Sequence, residues 1–109
     1  MYFRINKDSA ELAEPGDFTA FYAVCPPGLE SSELIDIVRR EDLGDLLPGG
    51  GHLMVPLETV RRLSAGRVGP NWERDFDSMI AYAARKGWLS EDGTRVRAHV
   101  ESGRADHLT

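Results

Sequence analysis

The chain has a single cysteine, Cys25, among 109 residues, so no disulfide can form within it. Nothing in this cysteine usage argues for a secretory compartment. Long apolar runs are missing as well. The longest largely apolar stretch, Phe18 to Cys25, is far short of the roughly 20 residues of a membrane-spanning helix. The opening Met1-Tyr2-Phe3-Arg4-Ile5-Asn6 lacks a basic segment followed by an apolar core, so it does not read as a signal peptide, and the cytoplasm is the expected location. Positive charge is scarce, with 13 Lys and Arg against 18 Asp and Glu for a net charge of −5, which disfavours indiscriminate binding to nucleic acid or to a membrane surface. No internal repeat and no low-complexity segment is evident.

What is present is the composition of an ordinary folded domain. At 41% hydrophobic and 28% charged, the chain is too apolar to be disordered and long enough for one core. The charge is uneven. Residues 1–55 hold ten acids and four bases, and residues 56–109 hold eight acids and nine bases, so a basic face would lie on the second half.

Hydrophobic periodicity predicts the elements. Met1–Ile5 reads as a short strand, Lys7–Asp17 as a polar connection, and Phe18–Val24 as a strand apolar on both faces, ended by Pro26-Pro27-Gly28. Ser31 or Ser32 would cap a helix carrying Leu34, Ile35, Ile37 and Val38, with Leu43, Leu46 and Leu47 as a further irregular turn. Pro48-Gly49-Gly50-Gly51 is a break before the strand Leu53–Val55. Pro56 suits a helix start, Leu57, Val60 and Leu63 form that helix's buried stripe, and Gly66 can close it.

The clearest block runs from Asn71 to Glu101. Trp72, Phe76, Met79, Ile80 and Ala83 recur at spacings of three and four, Lys86-Gly87 ends the helix, and Glu91-Asp92-Gly93 forms a turn. From Thr94 to Glu101 apolar and polar residues alternate, which turns Val96, Ala98 and Val100 inward and Arg95, Arg97 and His99 outward. The expected fold is a single small α+β domain over residues 1–101, about three helices on a small sheet, with a flexible tail at 102–109.

From the helix at Ser32 onward the order is helix, strand, helix, helix, strand, turn, strand. This order, with Lys86-Gly87-Trp88-Leu89, an acidic glycine turn and Thr94-Arg95-Val96-Arg97, resembles a winged-helix domain, with Glu91–Thr94 as the wing. The resemblance covers about half the chain. It implies a DNA-binding transcriptional regulator contacting phosphates through Arg61, Arg62, Arg67, Arg95 and Arg97. Against it, the helix that would enter the groove opens with Glu73, Asp75 and Asp77, which bases and phosphates disfavour.

No motif fixes a reaction. The glycine loop at 48–51 leads into a strand with no lysine nearby, unlike a phosphate-binding loop. Cys25, His52, His99 and His107 are the soft or nitrogen ligands, and no two have the close spacing of a zinc site, so neither metal nor cofactor is implied. Cys25 ends an apolar strand, the setting of a core cysteine and not of a nucleophile. Glu73 and Asp77 share a helix face and could offer an acidic contact. Trp88 sits at the corner between helix and hairpin, where a ring keeps an open side.

With no catalytic residue assigned, the expected function is a soluble, non-catalytic binding or protein-interaction domain. Its candidate contacts are Trp88, Arg95, Arg97 and His99. The strand Thr94–Glu101, as a free sheet edge, would support self-association into a homodimer. A DNA-binding regulator is the first alternative, with nucleic acid the disfavoured partner. A small enzyme or ligand-binding protein using His52 near the glycine loop is the second. The surface around His52, Trp88 and Arg97 discriminates among them: a concave pocket with converging polar groups favours an enzyme, a flat apolar patch a protein partner, a continuous basic ridge DNA.

Overall fold

A computed structural model describes residues 1–102. The elements are β1 (Tyr2–Ile5), β2 (Ala10–Ala13), β3 (Tyr22–Cys25), α1 (Ser31–Arg40), β4 (Asp45–Leu46), β5 (His52–Pro56), α2 (Leu57–Ser64), α3 (Trp72–Arg85) and β6 (Arg95–Ser102). Six strands form one mixed sheet in the order β2-β1-β3-β6-β5-β4. The pairs β1/β3 and β3/β6 are parallel, and β1/β2, β5/β6 and β4/β5 are antiparallel. The expected α+β domain is therefore present, with three helices. No helix among the described residues is long and apolar enough to cross a membrane.

Alternation along the strands separates the two faces of the sheet. Phe3, Ile5, Ala23, Cys25, Leu53, Val55, Val96 and Ala98 are buried and join one core with Leu34, Ile37 and Val38 of α1, Leu57 and Val60 of α2, and Trp72, Phe76 and Ala83 of α3. The opposite face carries Tyr2, Arg4, Tyr22, Arg95, Arg97 and His99, none of them buried. Register sets four of its rings in one row, since Tyr2 pairs with Tyr22, Tyr22 with His99, and His99 with His52. Tyr2 and Tyr22 stack at 5.1 Å. The inward set Val96, Ala98 and Val100 and the outward set Arg95, Arg97 and His99 are placed as the alternation predicts.

Several local expectations are corrected. The connection Lys7–Asp17 contains β2, whose Leu12 is buried opposite Phe3; one large apolar residue between two alanines and flanking acids gave no periodic signal. Pairing in the second apolar strand starts at Tyr22, not Phe18. Helix α1 is capped from Glu30, whose N–H donates to the Glu33 carboxylate at 3.2 Å, so Ser31 and Ser32 lie inside the first turn. Leu46 belongs to the strand β4, and Pro48–Gly51 is the turn of the β4/β5 hairpin, with Gly50 N–H bonded to Leu47 O at 3.0 Å.

The winged-helix resemblance is not confirmed. The segment after α3 makes a single bridge, Leu89 to Val96, and β6 lies in the middle of the sheet between β3 and β5. With partners on both sides, β6 is not a free edge, and the self-pairing expected of it has no unpaired strand to use; β2 and β4 are the edges. The reason is the parallel pairing with β3, a contact between residues about 77 apart that no local pattern reports. Strand β6 continues to Ser102, and the tail expected beyond it, with His107, lies outside the described residues.

Candidate functional site

One strand edge explains a concavity beside β6. Strand β5 holds one edge of β6 along Arg95–His99. The other edge is shared: Leu89 bridges Val96, Arg97 N–H donates to Trp88 O at 2.8 Å, and β3 takes over only at His99. Between these two partners the sheet splits, and a crevice of about 400 Å³ opens beside β6.

Each wall has a local cause. Helix α3 ends in a Schellman motif: Gly87 adopts φ +79°, its N–H bonds Ala84 O at 3.1 Å, and Trp88 N–H bonds Ala83 O at 2.9 Å. That turn folds Trp88 back toward β6 and sets its ring edge-on to Tyr82 at 6.0 Å. Met79, Tyr82 and Ala83 of α3 complete this wall. Facing it, residues 18–21 are drawn away from β6 before β3 begins. The Met1 ammonium bonds Asp17 O at 2.5 Å and Ala20 O at 3.0 Å, and Phe21 and Phe18 turn inward against Phe3 and Trp72. The floor is Val96, Arg97 and His99 of β6 with His52 of β5.

The floor brings together three basic side chains. His52 and His99, apart by 47 positions in sequence, meet with ring centroids 5.4 Å apart. The Arg97 guanidinium lies 5.9 Å from the centre of the Trp88 ring, within cation–π range. Desolvation lowers the His52 pKa below its ordinary value, and the neighbouring Arg97 and His99 lower it further, which favours the neutral ring with one lone pair and one N–H. Tyr82, 48% exposed, is the one large hydrophobic side chain left open among the described residues, and Arg85 and Lys86 lie over its ring at 5.8 and 5.5 Å.

The remaining residues singled out from sequence are placed elsewhere. Arg95 bonds Asp45 at 2.9 Å on the exposed sheet face. Arg61 reaches Glu73 at 3.2 Å and Asp77 at 3.6 Å, so the acidic pair on α3 answers an arginine of α2. Arg62 lies 3.6 Å from Asp42, and Arg67 bonds Leu63 O at 3.2 Å. The five arginines of the DNA reading are thus divided between α2, the loop after it and the sheet, and three of them face carboxylates. Cys25 is 5% exposed; its thiol donates to Glu101 O at 3.6 Å, and burial pushes its pKa up, the opposite of an activated nucleophile. Among the described residues no group of three or more His, Cys, Asp or Glu is gathered as a metal site.

Of the four residues expected to form a binding surface, Trp88, Arg97 and His99 come together in the crevice and Arg95 does not line it. His52 joins them. Phe18, Phe21, Met79 and Tyr82 were missed as site residues, because their spacing marks them as core or helix face and only the split exposes them. The architecture and site define a small mixed α+β domain with a lined crevice at a break in its central sheet. Comparison with protein-family models, with curated proteins and with solved structures finds no match to this chain.

Proposed function

We propose that the chain is a ligand-binding domain whose ligand is a small planar molecule held in the crevice beside β6. The observation that carries this reading is the crevice itself, a concavity of about 400 Å³ with aromatic walls and three converging polar side chains. Ligand pockets of this size, mostly apolar with a few placed polar groups, are the usual form of small-molecule sites. The ligand is favoured over a macromolecular partner because the aromatic surface is concave, not flat. DNA is disfavoured because Arg61, Arg62 and Arg95 are spent on carboxylates of the same chain. A cytoplasmic setting fits the lone, buried Cys25.

A screen of soluble planar fragments by two-dimensional NMR tests the reading. Shifts are expected to cluster on Phe21, Tyr82, Trp88 and His99, and to vanish in Ala20→Trp, which places a ring at the mouth from an exposed position. Shifts scattered over the surface, or unaffected by that plug, would refute it.

A further inference from the structure

The charge around the crevice narrows the ligand class, and this step rests on the crevice being the binding site. The chain has 18 acids, yet among the described residues no acidic side chain lines the crevice. In a molecule of net charge −5, the described lining of this concavity is thus free of carboxylates. On its floor stand Arg97, His99 and His52. Arg97 makes no ion pair with a described carboxylate, unlike Arg95 two positions earlier on the same strand face. Glu101, the acid on that face beyond His99, does not line the crevice. At the rim Arg85 and Lys86 lie over Tyr82.

We propose that the crevice binds a planar organic anion, an aryl carboxylate whose ring meets Phe18, Phe21 and Trp88 and whose carboxylate meets Arg97 and the His99–His52 pair. The chemistry is complementary at both ends. A guanidinium offers a planar fork that matches a carboxylate with two parallel N–H donors, and imidazole N–H groups can add to it. Trp88 holds the Arg97 guanidinium at 5.9 Å before any ligand arrives, so less side-chain freedom is lost on binding. The walls then supply stacking and apolar area to the ring. A cation of the same shape would meet Arg97 and the rim charges unfavourably, and a neutral analogue would leave the guanidinium without an anionic partner.

The test uses three probes of one shape on the full chain: 2-naphthoate, 2-naphthamide and 2-naphthylmethylamine. Calorimetry gives affinities, and NMR shifts of Tyr82, Trp88 and His99 locate the binding. The acid should bind roughly tenfold to a hundredfold more tightly than the amide, as a charge-assisted pair does over a neutral one, and the amine most weakly. Arg97→Ala should close the gap between acid and amide by weakening the acid, and Arg97→Lys should restore only part of it. Arg97 is exposed and outside the core, so these variants keep the fold, which an unchanged melting temperature confirms. An acid that binds no better than the amide, or a gap that survives Arg97→Ala, overturns the anion assignment and leaves the crevice reading standing. No shift at Tyr82, Trp88 or His99 with any of the three at millimolar concentration overturns both.

Discussion

Phe76→Ala is the sharpest test of how the helices are seated. Phe76 is 0% exposed, stacks on Trp72 at 4.7 Å with an interplanar angle of 12°, and lies 5.4 Å beneath the Arg61 guanidinium. Deleting a fully buried ring costs about 3–5 kcal/mol through lost transfer energy and an incompletely closed cavity. Trp72 has little room to collapse into the space, because its indole N–H is bonded to Pro15 O at 2.6 Å and its ring is packed at 6.0 Å against Phe18. The upper half of that range is therefore expected, about 4 kcal/mol. For a domain of roughly 100 residues this lowers the melting temperature by about 15–30 °C, and with a urea slope of about 1–3 kcal/mol/M it moves the midpoint down by roughly 1.5–4 M. Native stabilities are about 5–15 kcal/mol, so the variant should fold, but marginally. Phe76→Leu, which keeps most of the volume, should cost about 1–2 kcal/mol. A cycle with Trp72→Leu should return a coupling of about 0.5–1.5 kcal/mol for the stacked pair. A Phe76→Ala protein melting within a few degrees of the parent would refute the placement of α3 on the core.

Two further perturbations separate backbone strain from charge. Gly44 has φ +92°, and a Cβ there would lie 1.8 Å from the backbone oxygen of Met54, whereas Gly50, at φ +73°, faces open space. Gly44→Ala should cost about 2–5 kcal/mol from left-handed strain plus overpacking against β5, and Gly50→Ala about 1–2 kcal/mol from strain alone; equal losses in urea titrations would contradict the close approach. Asp92 accepts from Thr94 N–H at 3.0 Å, Thr94 O–H at 2.7 Å and Ser90 O–H at 2.7 Å, and these bonds hold its pKa down at about 2, below the ordinary 3.8. Because the folded value is the lower one, this contribution is complete above pH 3.8 and fades as pH falls through 2, so Asp92→Asn should flatten the stability profile in that window. Parallel profiles for parent and variant would show that the carboxylate does not organise the turn.

Much of the architecture is local and therefore readable in the chain. The stripe Trp72, Phe76, Ala83 sets the face of α3, Gly87 ends it, and the alternation of β6 sorts Val96 and Ala98 from Arg97 and His99. Core tryptophan at 72, core cysteine at 25 and the turn at Glu91–Gly93 follow from the same local physics. What depends on long-range pairing was not readable. Strand β2 has one buried residue, β4 has two residues in all, and the partners of β6 come from positions 22–25, 52–56 and 89. Taken as local, the last of these contacts suggests a free hairpin or wing; taken with β3 and β5, it becomes a sheet interior.

The crevice is the extreme case of that rule, since it follows from competition for a single strand edge. Leu89 reaches β6 first because the Schellman turn at Gly87 delivers it there within a few residues of the helix end. Strand β3 could zip further along the same edge only by bringing residues 18–21 against Arg97, where the backbone of Trp88 already sits. Those residues have somewhere better to go. The carbonyls of Ala20 and of the preceding Asp17 accept from the Met1 ammonium, and Phe18 and Phe21 pack against the core. Both segments thus gain hydrogen bonds and apolar contact without closing the gap between them, and no buried side-chain polar atom among the described residues lacks a partner. The gap sets Trp88, Arg97, His99 and His52, drawn from three separate segments, around one space that each segment alone would have filled with solvent.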